Sequence, residues 1–207
     1  MTQRCSSKLG HPASKNHLEM KTNMKKITFI AIVLIAELLV TQIAPAQGIV
    51  YMSNLGQTPV GSGAVGNNSW IAQVFITGTN SSGYSLNWIQ LLMATASGNP
   101  NGFSISLYSN PGNGTPGSNL GNLVGPDPIA GGTFTYEASG LLLLPSTYYS
   151  VVVTSASLTA QGAYQWSAVD SFGQITTTPG DPWSLLDAYY GSANGSDWTF
   201  HGRGNVF

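Results

Sequence analysis

Few side chains in this sequence could do chemistry. Beyond residue 46 there is one histidine, His201, and six acids: Asp127, Glu137, Asp170, Asp181, Asp187 and Asp197. Acid–base or nucleophilic catalysis needs a positioned base of one of these types. Asp197 and His201 are four residues apart; on a strand they share a face but stand about 13 Å apart at roughly 3.3 Å per residue, too far for a direct hydrogen bond. His201 is therefore expected to face solvent. No Gly-x-Ser-x-Gly nucleophile elbow occurs. Paired carboxylates hydrolyse glycosides, and loop aspartates with carbonyl oxygens hold Ca²⁺. However, Pro126-Asp127-Pro128, Gly180-Asp181-Pro182 and Gly195-Ser196-Asp197 are turn contexts, where Asp commonly bonds its own backbone. No Asp-x-Asp-x-Asp-Gly loop is present. The expectation is turn-forming or solvated acids and no cofactor, with Ca²⁺ the only candidate. The run Gly61-Ser62-Gly63-Ala64-Val65-Gly66 fits Gly-x-Gly-x-x-Gly, a fingerprint that binds a pyrophosphate only between a strand and a helix. Asn67-Asn68-Ser69 and another strand pattern follow it, so it reads as a flexible loop.

All 5 Trp and 9 Tyr lie beyond residue 46. Trp70, Trp88 and Trp166 sit in alternating apolar patterns and are expected in the core. Trp183, Tyr189, Tyr190 and Trp198 sit among Gly, Asp and Ser. They are the candidates for exposed rings that stack on a sugar, as in jelly-roll carbohydrate-binding modules.

These residues must be positioned by strands. Period-two alternation recurs over 49–53, 70–77, 84–94, 103–108, 133–137, 147–154, 162–168 and 198–200. β-branched and aromatic residues dominate these runs. Between them lie turn-formers such as Asn110-Pro111-Gly112 and Ser97-Gly98-Asn99-Pro100. Residues 182–190 allow one helical turn at most. About eight short strands at this spacing predict an all-β fold, an antiparallel β-sandwich of jelly-roll type.

Charge separates a leader from the rest. Only 7% of residues are charged, against about 25% in an ordinary soluble domain. Residues 1–46 hold six bases and two acids, +4; the remainder holds Arg203 and six acids, −5. Met24-Lys25-Lys26, the apolar run 27–40 and Ala44-Pro45-Ala46 form a secretory signal, with Ala44 and Ala46 read by the peptidase and cleavage before Gln47. The signal is expected to be a helix that enters the membrane transiently, too short to span it comfortably at the usual ~20 residues. A retained anchor is the alternative. Residues 1–23 read as an upstream extension, with translation starting at Met24 or, alternatively, Met20. The one cysteine, Cys5, falls in that extension and excludes a disulfide framework. A net −5 with one arginine leaves no phosphate-binding footprint, so nucleic acid is excluded as a partner.

Several of these patterns resemble the choice-of-anchor R domain. They are 53–57, Ser69-Trp70-Ile71-Ala72-Gln73-Val74-Phe75-Ile76-Thr77-Gly78, 84–93, 103–109, 132–136 and Leu143-Leu144-Pro145-Ser146-Thr147-Tyr148-Tyr149, and the likeness covers residues 50–200. The resemblance implies an exported bacterial surface protein with a β-sandwich look and no transferable biochemical activity. It also implies a sorting tail, commonly of the PEP-CTERM type. This sequence ends Gly204-Asn205-Val206-Phe207 without the Pro-Glu-Pro motif, which points to truncation or to secretion without an anchor. The expected role is structural or interactive at the cell surface or in the extracellular matrix, without catalysis. A carbohydrate-binding module is the alternative and a hydrolase the third reading. Expected partners are extracellular polysaccharide or other matrix proteins. Edge strands with few charges favour self-association that depends weakly on salt.

Overall fold

Among the described residues every regular element is a strand and every sheet pairing is antiparallel. The computed structural model describes residues 48–112, 114–169, 175–202 and 204–205. The chain divides into two compact units, Met1–Gln47 and Gly48–Phe207, and the description below concerns the second. The upstream extension, the signal segment with Ala44, Ala46 and Gln47, Asp170 and Arg203 all lie outside the described residues.

Among the described residues thirteen strands form where about eight were expected. They are β1 (Met52–Ser53), β2 (Gly61–Val65), β3 (Trp70–Ile76), β4 (Tyr84–Gly98), β5 (Ser104–Ser109), β6 (Asn119–Leu123), β7 (Gly132–Leu143), β8 (Tyr148–Thr154), β9 (Gly162–Val169), β10 (Thr176–Thr177), β11 (Ser184–Ser192), β12 (Thr199–His201) and β13 (Gly204–Asn205). The extra strands lack a local apolar rhythm. Gly61–Val65, expected as a loop, is strand because it completes a five-residue ladder with β9. The stretch expected to give one helical turn instead holds β11, which pairs along β3.

One sheet has the order β12-β11-β3-β8-β5-β6; the other runs β13-β9-β4-β7, with β2 also paired to β9. Apart from β5 to β6, each step from β2 to β9 carries the chain from one sheet to the other. The pair Val124↔Glu137 ties the β6 edge to β7. The small β1-β10 pair stands apart.

The two large sheets share one core. Ile71, Phe75, Ile105, Leu107, Val151 and Val153 come from the first; Leu91, Met93, Tyr136, Tyr164 and Trp166 come from the second. β5 follows the expected alternation, with Ile105 and Leu107 inward. β4 does not. Its pairing with β7 slips between Leu86 and Trp88, and from there the odd-numbered Ile89, Leu91 and Met93 face the core. Of the three tryptophans expected inside, only Trp166 is there, at 0% exposure. Trp88 is half-buried beside Gly48. Trp70 is half-buried on the outer side, donating through Nε1 to the Asn67 carbonyl at 2.8 Å.

Gln73 occupies the core face between Ile71 and Phe75 and is fully buried. Its Nε2 donates to the Leu186 carbonyl at 2.9 Å, where the β3–β11 ladder is irregular between Leu185 and Tyr189. A buried amide is tolerable only when bonded; here it serves a carbonyl that the irregular ladder displaces.

Candidate functional site

The loop between β3 and β4 and the turn between β7 and β8 form one tightly bonded tip. Thr77 Oγ1 donates to the Leu144 carbonyl at 2.6 Å and accepts from the Thr147 amide at 2.9 Å. The Ser146 amide donates to the Gly78 carbonyl at 2.7 Å. The Leu144 amide donates to the Tyr149 hydroxyl at 2.8 Å. Ser146 is held at φ 49°, a left-handed conformation that costs a non-glycine residue about 1–3 kcal/mol and persists only where its surroundings enforce it.

Behind this tip lies an aromatic stack. Trp183 stacks on Tyr51 (5.1 Å) and Phe75 (5.9 Å) and meets Tyr84 edge-on at 4.8 Å. The Tyr84 hydroxyl donates to Asp181 at 2.7 Å and accepts from the Asn80 amide at 3.0 Å. Asp181 Oδ1 also accepts from the Thr79 amide at 2.8 Å. Asp181 was expected to serve its own turn; its carboxylate instead clamps a loop about 100 residues away in sequence. Gly78 permits the clamp, because a side chain there would strike that carboxylate. Burial first, and then the hydrogen bond to Asp181, raise the Tyr84 hydroxyl above the usual tyrosine pKa.

In front of the tip, residues 81–85 and 142–145 line a shallow groove of about 340 Å³. Ser81, Ser82, Ser85, Leu142, Leu143 and Leu144 are among the residues that line it. Leu142 and Leu144 flank it at 77% and 65% exposure. No residue lining the groove is ionisable except Tyr84.

Asp127 makes a second clamp. It accepts from the Gly102 and Phe103 amides at 3.1 and 3.2 Å and from the Tyr164 hydroxyl at 2.7 Å. Its partners too lie on distant segments, because the turn-forming prolines on either side leave the carboxylate free to reach across. Burial, followed by the bond to Asp127, raises Tyr164; burial, followed by the Asp127 charge, raises Tyr136. The Tyr136 hydroxyl is buried without a partner. Each of these two aspartates thus faces N–H and O–H donors rather than a second carboxylate. That geometry suits neither a glycosidase pair nor a cation, whose ligands must point lone pairs at it. No group of three or more His, Cys, Asp or Glu that could hold a metal ion gathers among the described residues.

The four rings expected to stack on a sugar are not brought together. Trp183 packs against the core. Tyr189 also packs there and stacks on His201 at 4.8 Å. Tyr190, the next residue along the strand, points to the opposite face, with its ring edge-on to Phe200 and its hydroxyl where a side chain at Gly114 would be. Trp198 is half-buried just before β12. Asp197 Oδ2 is engaged by Asn194 at 2.7 Å, and His201 by the Tyr189 ring, so no dyad forms. Nothing is described of the Asp187 side chain. The leucine pair was missed by sequence reasoning, although Leu141-Leu142-Leu143-Leu144 alternates in and out once β7 is known to continue to Leu143.

Compared with known proteins, the chain matches no family model, no curated protein and no solved structure.

Proposed function

We propose that this chain is an exported, non-catalytic surface or matrix protein that works by docking an uncharged partner on the 142–145 tip. The observation that carries the reading is the pair Leu142 and Leu144, 77% and 65% exposed, at the end of β7 and in the turn after it, which four hydrogen bonds fix. Leucines left in water on a stiff support are an unused apolar contact, and such patches mark interaction sites. Rigidity adds to the case, since a preorganised contact loses little freedom on binding. Export is supported by the +4 leader with its apolar run and Ala44-Pro45-Ala46. A jelly-roll β-sandwich is supported by the orders β2-β9-β4-β7 and β3-β8-β5-β6, in which the chain wraps between two sheets as two Greek keys. The choice-of-anchor R likeness rests on the strand and turn motifs alone.

The test compares the parent with a Leu142→Ser/Leu144→Ser variant in the source cells. The parent is expected in the cell-associated matrix fraction and the variant in the medium, with total export equal. Equal retention of both would refute the tip as the docking surface. Residence of both inside the cell would refute export.

A further inference from the structure

We propose that residues 48–53 are a releasable strap, and that the aromatic corner beneath it is a binding site for an extended peptide segment carrying a tyrosine. This goes beyond the docking reading above and does not depend on it.

The strap itself displays what the corner takes. Tyr51 fills the angle between two rings: it stacks on Trp183 at 5.1 Å and 17°, and meets Tyr84 edge-on at 5.0 Å and 76°. Both arrangements are favoured for aromatic pairs. Thr178 holds the backbone alongside. Its amide donates to the Tyr51 carbonyl at 3.0 Å and its hydroxyl to the Val50 carbonyl at 3.0 Å. Met52 and Ser53 then pair with Thr177 and Thr176. A ring pocket beside a strand edge recognises an extended segment, because main-chain bonds supply affinity and the pocket selects the side chain.

The corner is held by contacts that do not involve the strap. Trp183 is also stacked on Phe75 of β3, at 5.9 Å and 6°. The Tyr84 hydroxyl is fixed by Asp181 and by the Asn80 amide. With the strap lifted, both walls keep these partners, and a preformed site loses little freedom on binding.

The strap, by contrast, is lightly attached. The β1-β10 ladder is two residues long and joins neither large sheet. Ile49 and Val50 are 66% and 49% exposed. The chain turns at Asn54, whose carbonyl accepts from the Gln57 amide at 3.0 Å. Everything before that turn can swing out while β2 stays on β9. A segment with few buried contacts and exposed backbone bonds opens at far smaller cost than the whole domain.

The experiment has two arms, both on the full chain. The first is amide hydrogen exchange. In the parent, the Thr178 amide is expected to exchange at least about tenfold faster than the amides of the β3–β8 ladder. Tyr51→Ala is expected to speed it further and to leave β3 and β8 unchanged. A Thr178 amide as slow as β3 and β8, or an acceleration shared by all of them, would overturn the strap. The second arm is calorimetric titration with a capped peptide of residues 48–54. It is expected to bind Tyr51→Ala at least about tenfold tighter than the parent, whose own strap occupies the site. The same peptide carrying Tyr51→Ala is expected to bind at least about tenfold more weakly. No binding to the variant at about 1 mM, or equal binding of the two peptides, would overturn the site. If Tyr51→Ala loses cooperative urea unfolding, Tyr51→Leu takes its place in both arms, since it keeps apolar bulk and removes the ring.

Discussion

Removing the Asp127 carboxylate should loosen the structure in a way that depends on Tyr164. Asp127→Ala deletes three acceptor contacts: to the Gly102 amide, the Phe103 amide and the Tyr164 hydroxyl. Hydrogen bonds to a charged group contribute about 1.5–3 kcal/mol each. Asp127 is exposed, so its two amide bonds are traded against water and count at or below the low end. The Tyr164 bond counts for more, because Tyr164 has 0% exposure and its hydroxyl loses the carboxylate it donates to. Together the loss is about 2–4 kcal/mol, or a melting temperature lower by roughly 5–15 °C for a unit of this size. Tyr164→Phe removes only the hydroxyl and should cost about 1–2 kcal/mol. The double variant should then be more stable than the sum of the two losses predicts, by about 1 kcal/mol, because the second change removes a donor whose acceptor the first has already taken away. Urea unfolding of the four proteins gives the cycle. Additive losses, or a neutral Tyr164→Phe, would refute the clamp.

Three further outcomes follow from other contacts. Tyr84, Tyr136 and Tyr164 all hold their protons more tightly folded than unfolded. Their contribution is therefore complete below about pH 10 and declines as pH rises further. Melting curves from pH 8 to 12 should show the decline, with absorbance near 295 nm reporting late-titrating tyrosines, and Tyr84→Phe should make it shallower. Trp183→Ala should cost about 3–5 kcal/mol by opening a cavity under Tyr51 and Phe75, visible as a large drop in the urea midpoint, while leaving any binding measured on a glycan array unchanged. Gly114→Ala places a methyl against the Tyr190 hydroxyl at φ +91° and should cost about 1–3 kcal/mol, whereas alanine at the unobstructed Gly56 should change the midpoint by no more than about 0.5 kcal/mol.

How much of this was legible depended on whether the signal was local. β3, β5, β8 and β9 announce themselves by alternation, since each must bury one face of a pleated strand. β2 and β6 do not. Gly61-Ser62-Gly63-Ala64-Val65 and Asn119-Leu120-Gly121-Asn122-Leu123 have weak strand preference and owe their form to the strand beside them. β11 was obscured by its irregular ladder, which breaks the period between Leu185 and Tyr189. Pro and Gly around the aspartates mark them as turn-formers, and that local view has no access to Thr79, Tyr84 or Tyr164. The leucine pair was hidden for the opposite reason. A run of four leucines reads as buried, and only the position of β7 reveals which two face outward.

The pairing of β2 with β9 has a consequence for how the molecule is made. Ser62 lies opposite Ser167, so the sheet holding both stays incomplete until the ninth strand is available, more than a hundred residues later. Folding dominated by such distant pairings is slow, on the order of milliseconds to seconds. A chain that emerges from its N-terminus crosses most of its length with that sheet still unfinished. Under the proposed export, late closure would keep the chain threadable through a translocation channel until β9 is out.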